Sequence, residues 1–241
     1  MLSRLLVGSV LLAFATPLIA ADLTLRFVYD GPVPETKWIE FPSGKKVPDE
    51  SLLVNSEDHG IAGVVVYVRL PRGTALPSSG PSPTRKWSAT IRDGQFSPRT
   101  LLLRPGDTLH IKNRDEFGYV INTNFLNNTG LNIALQPNKE FEHVVKKPEP
   151  GPVLIQCGIH PWTTATMLCL DHPHAGVTDR QGRLTLRGLP EEMDLTFIVR
   201  HESLGSRLES LELSDANPNR FTISLSPGAH VQKTVLVKPK S

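Results

Sequence analysis

The sequence predicts an all-β protein of the sandwich type, and three observations carry that expectation. Short stretches rich in Val, Ile, Leu, Thr and Phe recur along the chain, among them "LTLRFVYDG", "GVVVYVRL", "TLLLRPGDTLHIKN", "PVLIQC" and "DLTFIVRHE". Turn signals separate these stretches about every ten residues, in a chain with 21 Pro and 18 Gly. Several stretches alternate apolar and polar positions, as in "RLTLRGL", where Leu184, Leu186 and Leu189 stand among polar neighbours. No window sustains a helical period. Only "ESLGSRLESLEL" offers a short helix, and Gly205 interrupts it.

The first 21 residues read as a leader. One basic residue, Arg4, precedes the apolar run "LLVGSVLLAFATPLIA", and small residues follow at Ala20 and Ala21. That is the layout of a cleaved secretory signal. The alternative is an uncleaved anchor, but Gly8 and Pro17 break the run, and no later apolar segment is long enough to span a bilayer. A periplasmic or secreted location is expected. Without Arg4, 25 basic residues face 24 acidic ones, a net charge of +1. This near-neutrality argues against nucleic acid and against a strongly charged membrane surface as partners.

The remaining elements follow in chain order. Residues 22–70 hold strands of a sandwich framework, and the Pro/Gly/Ser-rich stretch 71–86 reads as a linker. Next, a strand at 100–103 enters the turn Arg104-Pro105-Gly106-Asp107, where Pro pre-sets φ and Gly accepts positive φ. A strand at 108–113 then reaches Asn113-Arg114-Asp115 and a loop. "EFEHVV" precedes the strand "PVLIQC", which ends on Cys157; His160 follows three residues later and Met167 further on. A Cys thiolate, two imidazoles and a weak axial Met are the donors of trigonal copper sites. A second break falls near "DHPHAGVTD", and beyond it the turn 179–182 joins two strands.

Export permits a disulfide between the two cysteines, Cys157 and Cys169. However, Cys157 ends one strand while Cys169 lies well inside the next, so their register does not favour a bond. "NNT" at 127–129 fits the N-glycosylation triplet, a short pattern of little weight.

Taken together, "F-x-P-x-x-L-x-x-x-x-G-D-T-L", then "N-x-D", then "C-x-x-H-P-W" resemble the cupredoxins. In particular they resemble secreted cupredoxin-like proteins of the plastocyanin-like or methylamine-utilisation type. The opening "RFVYDGPVPE", "GIAGVVVYVRL", "DHPHAGVTDRQGRLTLRGLP" and His201-Glu202 extend the resemblance over nearly all of the chain after the leader. It implies a cupredoxin-like Greek-key β-sandwich over 87–172. The segment 173–241 resembles a smaller transthyretin-like, or carboxypeptidase regulatory-like, β-sandwich. Residues 22–70 complete that second sandwich, with the cupredoxin unit inserted, or else begin the cupredoxin sheet; the linker slightly favours insertion.

The family pattern places a copper His four residues after the Asp of "N-x-D", and here that position is Tyr119. It places the axial Met directly after "HPW", and here that position is Thr163. Cys157 and His160 remain. A phenol resists ionisation, so Tyr119 is a poor third ligand. Met167 lies in "TMLCL" and is expected in the core.

His110 and His143 are expected to be satisfied strand residues. His172 and His174 would complete a Cys/His set with Cys157 and His160. A strand over 165–170 would carry them roughly 20 Å away, at about 3.3 Å per residue. His172 is instead expected to pair with Asp171 or Glu202. No orienting group for a Cys157–His160 catalytic dyad is evident.

The expected function is therefore that of an exported, non-catalytic binding or scaffold protein with a degenerate type-1 copper site. No cofactor is expected, with copper the alternative. Two other readings stay open: a copper electron carrier using Cys157, His160 and Tyr119, and an accessory subunit of an extracellular enzyme system. The expected partner is a redox or envelope protein.

Overall fold

In the computed structural model, which describes residues 20–70, 83–204 and 219–238, strand β1 (Ala21–Tyr29) alternates without a break. Ala21, Leu23, Leu25, Phe27 and Tyr29 point inward and are buried, while the residues between them are partly exposed. Three more strands precede residue 71: β2 (Trp38–Glu40), β3 (Lys46–Pro48) and β4 (Val65–Arg69). Next come β5 (Lys86–Arg92), β6 (Gln95–Ser97), β7 (Thr100–Leu103), β8 (Thr108–Asn113) and β9 (Tyr119–Thr123). They are followed by β10 (Asn132–Leu135), β11 (Glu140–Val144), β12 (Val153–Cys157) and β13 (Thr164–Cys169). The last five are β14 (Ala175–Val177), β15 (Arg183–Leu189), β16 (Asp194–Arg200), β17 (Arg220–Ser224) and β18 (His230–Val237).

Leu184 and Leu186 are buried on β15, as their alternation requires. β15 pairs antiparallel with β1, and β18 pairs parallel with it, giving the order β15-β1-β18. A facing sheet has the order β14-β4-β16-β17. Between the two lies one core that includes Leu23, Leu25, Phe27, Val66, Val68, Phe197 and Val235. β1 and β4 therefore share their sheets with the C-terminal strands, while β2 and β3 pair as a separate hairpin. The strands from β5 to β13 form a separate sandwich between β4 and β14, with sheets β10-β9-β12-β13-β7 and β11-β8-β5-β6. Its core includes Ile91, Phe96, Leu109, Ile111, Ile121, Ile155 and Met167. The architecture is all-β: the β5–β13 sandwich is inserted into a second one built from both ends of the chain.

β4 reads VVYVR and is buried on four successive positions, unlike β1. A strand covered on both faces has no polar alternation. Its second face belongs to a junction cluster, where Val65, Tyr67 and Ile198 of one sandwich meet Leu168 of the other. Leu102, Leu170, Ala175 and Val177 pack around them. Arg99, just before β7, reinforces the junction through two hydrogen bonds to the Glu202 carboxylate, at 2.7 and 2.5 Å. That carboxylate also accepts the Thr164 hydroxyl at 2.6 Å. Glu202 therefore does not pair with His172. The His172 Nδ1 instead accepts the His174 backbone N–H at 3.3 Å, and the two rings stack 5.8 Å apart.

Other sequence expectations resolve as follows. The turn 104–107 closes through the Asp107 N–H to the Arg104 carbonyl at 3.0 Å, with Gly106 at φ 94°. After Asp115 a short loop leads to β9, which starts at Tyr119 and pairs with both β10 and β12. Cys157 lies past the Gln156–Thr164 pair and Cys169 past the Val153–Met167 pair, at opposite ends of two antiparallel strands. Both cysteines are free and buried. Ala21, placed at the end of the leader by the sequence, opens β1. The leader over 1–19, residues 71–82 of the linker, and the candidate helix from residue 205 onward lie outside the described residues.

Two glycines let the β15 turn close on β1. Gly182 has φ 72°, and a Cβ there would lie 2.2 Å from the Phe27 carbonyl oxygen. A Cβ on Gly60 would lie 2.2 Å from the backbone of Gln181. Gly182→Ala combines backbone strain with a clash, so it is expected to cost about 3 kcal/mol in urea unfolding.

The junction histidines also set a pH dependence. Burial, then the neighbouring His172, pushes His174 down from 6.5 to about 4. Burial lowers His172 and His201 as well. The unfolded chain therefore binds protons that the folded chain refuses. Their contribution is complete above the unfolded value of 6.5 and is lost as pH falls towards 4. Urea midpoints measured across that window are expected to fall with pH, and to fall less steeply in His174→Gln.

Candidate functional site

The site lies where β9 begins and β12 ends. Asn113, Asp115 and Tyr119 shape one side. Asn113 fastens its own loop, donating from Nδ2 to the carbonyls of Phe117 (2.8 Å) and Gln136 (3.0 Å). Its Oδ1 accepts the Asp115 N–H at 2.9 Å. That aims the buried Asp115 carboxylate at the Asp93-Gly94 turn between β5 and β6. Both turn residues have positive φ, 52° and 71°, as a two-residue hairpin of the Asp-Gly kind requires. Their N–H groups donate to Asp115, from Asp93 at 2.7 Å and from Gly94 at 3.0 Å. The Tyr119 hydroxyl is the third donor, at 2.5 Å.

The segment 157–164 forms the other side. The Cys157 N–H donates to the Thr163 carbonyl (3.0 Å), and the Thr163 N–H to the His160 carbonyl (2.9 Å), so the loop folds back on itself. Cys157 Sγ accepts the Val120 N–H at 3.4 Å and lies 3.7 Å from His160 Nδ1. The Thr163 hydroxyl donates to the Gly94 carbonyl at 2.6 Å. The Asp93-Gly94 turn is thus held from both sides, by Asp115 through its N–H groups and by Thr163 through its carbonyl.

Aromatic rings cover this end. His160 lies against Tyr119 at 5.2 Å, Phe117 at 5.4 Å and Trp162 at 5.5 Å between centroids. Phe41, from the turn of the β2–β3 hairpin, packs edge-on against Trp162 at 5.6 Å and Phe117 at 5.7 Å. Gly94 makes room for this: a Cβ there would lie 2.6 Å from the Phe41 ring and 2.9 Å from Trp162 Nε1.

The structure brings Cys157, His160 and Tyr119 together, and it keeps His172 and His174 at the sandwich junction, past the far end of β13. Met167 is fully buried in the core. His110 is held on its strand by Glu140, 2.8 Å from Nε2, and Ser88, 3.2 Å from Nδ1. His143 lies against Phe125. Asn127, in the glycosylation triplet, donates from Nδ2 to the Pro148 carbonyl at 2.7 Å. Gly94, Phe41 and Phe117 are site residues that the sequence does not single out, and Asp115 stands out there only as the last residue of N-x-D. An Asp-Gly pair between two apolar runs was a usable signal for the turn. Nothing local marked Phe41.

The donor chemistry supports only part of a copper site. Burial lowers the His160 imidazole below its ordinary 6.5, so it is neutral and basic enough to ligate near pH 7. The Sγ–Nδ1 separation of 3.7 Å is short enough for one ion to bridge. Tyr119 does not fit as a third ligand. Burial first, then the hydrogen bond to Asp115, pushes its phenol far above the ordinary 10.0, and its oxygen is already committed. Thr163 is committed to Gly94 in the same way. Among the described residues, no group of three or more His, Cys, Asp or Glu is placed to hold a metal ion.

No family model matches the chain. A stretch of 94 residues, 39% of this chain, is 30% identical to the methylamine utilization protein MauL of Methylophilus methylotrophus. The chain spans about half the length of that relative, 54%. Among solved structures, a reduced amicyanin mutant matches at 15% identity and a TM-score of 0.31, covering 34% of this chain and 80% of that one. A purple cupredoxin from Nitrosopumilus maritimus matches at 21% identity and a TM-score of 0.29, covering 34% and 98%. No helix among the described residues is long and apolar enough to cross a membrane.

Tyr119→Phe removes the one side-chain donor to the buried Asp115 carboxylate among the described residues. A hydrogen bond to a charged group contributes about 2 kcal/mol, and that loss is expected in urea unfolding of the variant.

Proposed function

We propose that this chain is an exported, non-catalytic cupredoxin-like protein whose copper site is degenerate, and that it serves as a binding or scaffold module for a redox or envelope protein. One observation carries the reading. Tyr119 and Thr163 stand where the family resemblance expects a His and a Met. Each directs its only side-chain polar atom to a partner inside the protein, Asp115 and the Gly94 carbonyl. The end of the sandwich keeps its shape through these bonds and needs no ion to organise it. The similarity to a methylamine utilization protein supports an accessory place beside an enzyme system of the cell envelope. The charge balance and the leader-like first 21 residues support export and a protein partner.

A second reading keeps copper on Cys157 and His160, and their 3.7 Å approach favours it. In a cupredoxin, bound copper supplies one-electron transfer. In this chain Cys157 and His160 would hold it, with Tyr119 beside them and the ring layer limiting water.

Adding Cu(II) to the purified chain, desalting it, and measuring bound copper with the visible spectrum separates the two readings. The degenerate site is expected to retain well under one equivalent and to show no intense copper–thiolate band. Stoichiometric copper with such a band, lost in Cys157→Ser, would establish the electron carrier instead.

A further inference from the structure

The β2–β3 hairpin belongs to neither sandwich. Its two strands pair only with each other, over three residue pairs. An isolated two-stranded hairpin is at best marginal in water, so this one depends on what it docks against. It docks on the Cys157–His160 end of the other sandwich. Phe41, 7% exposed, inserts its ring between Phe117 and Trp162 over Gly94. Lys45 forms an ion pair with Asp93. Gln95, next in the turn, reaches the base of the hairpin: its Nε2 donates to the Pro48 carbonyl at 2.8 Å and its Oε1 accepts the Glu50 N–H at 3.0 Å.

These anchors are unequal. The Lys45–Asp93 pair is about half exposed on both sides, and such pairs contribute little. The outward face of the hairpin buries little, with Trp38 62% exposed. Docking therefore rests mainly on Phe41, on Val47 at the centre of β3 (6% exposed) and on Gln95. The same Phe41 ring holds Trp162 and Phe117 in place, and these two flank His160, which stands over the thiol. Cys157 itself is 4% exposed.

We propose that the β2–β3 hairpin is a lid that undocks as a unit, and that its undocking controls the access of thiol-seeking ligands to Cys157. Short elements with few buried contacts open before the core does. When Phe41 leaves, Trp162 and Phe117 lose their packing partner, and the 158–162 segment is freed from above. The lid thus couples one sandwich to the reactive end of the other, since the hairpin is continuous with β1 and β4. The proposal rests on the Cys157–His160 pair as the functional site. Its test uses no metal, so it fails or succeeds independently of copper binding.

Cys169 provides an internal reference. It is fully buried in β13, its Sγ donates to the Lys147 carbonyl at 3.3 Å, and burial pushes its thiol up to about 12. The full chain is reacted with iodoacetamide, and each cysteine is followed separately by peptide mass spectrometry, in the wild type and in Phe41→Ala. The lid predicts that Cys157 labels at least about tenfold faster in the variant, given what truncating a buried Phe removes, while the Cys169 rate stays near its wild-type value. Equal acceleration at both cysteines would mean global loosening and would overturn the proposal. An unchanged Cys157 rate would also overturn it. Hydrogen exchange on the wild type gives a second reading that needs no variant. The Phe41 and Gly44 amides, bonded within the hairpin turn at 2.8 Å, are expected to exchange well before those of β12. Exchange at the same rate as β12 would show that the hairpin does not open by itself.

Discussion

The Asp115 carboxylate organises the Cys157–His160 end of the inserted sandwich. It is 8% exposed, and a buried charge is tolerated only when its acceptor positions are filled. Three donors fill them: two successive N–H groups of the Asp93-Gly94 turn and the Tyr119 hydroxyl. The turn must expose both amides on one side, which its positive φ angles allow. Once the turn is fixed, the Gly94 carbonyl faces Thr163 and its missing Cβ leaves space for Phe41 and Trp162. The loop carrying His160, the strand carrying Tyr119 and the β2–β3 hairpin therefore all take their positions from one carboxylate.

This arrangement gives a physical sense to the residues found at Tyr119 and Thr163. A metal ion ties loops together by bonding to a donor from each. Here the tie runs from Tyr119 to Asp115, from Asp115 to the turn, and from the turn to Thr163. The bonds are 2.5 to 3.0 Å long and lie in a region from which aromatic rings exclude water, where hydrogen bonds are electrostatically stronger. Cys157 and His160 remain side by side within that frame, screened from solvent by the ring layer.

The two sandwiches are tied at three places: the apolar junction around Tyr67 and Leu168, the Arg99–Glu202 ion pair, and the hairpin with Phe41 at its tip. Each joins residues of the inserted unit to residues outside it. β1 and β4 come before that unit, and β14 to β18 come after it. Because the outer sandwich is assembled from both ends of the chain, it closes only when the inserted unit brings those ends near each other.

Much of this was legible in the sequence. Alternation in "LTLRFVY" and "RLTLRGL" marked β1 and β15, because a strand buried on one face must alternate. Pro105-Gly106 marked its turn. β9 escaped because "YVINT" is too polar on its outer face and too short to stand out. What the sequence by itself determined was which of the longer segments become strands, which faces those bury, and that Cys157 and His160 lie three residues apart at a strand end. Only the tertiary structure decided that Asp115 holds the 93–94 turn, that Thr163 and Tyr119 are occupied, and that Phe41 reaches the site from the β2–β3 hairpin. Strand patterns follow from local periodicity. Apart from Tyr119–Asp115, four positions apart, these contacts join residues 21 to more than 100 positions apart, and no local periodicity records which distant backbone group a buried oxygen will meet.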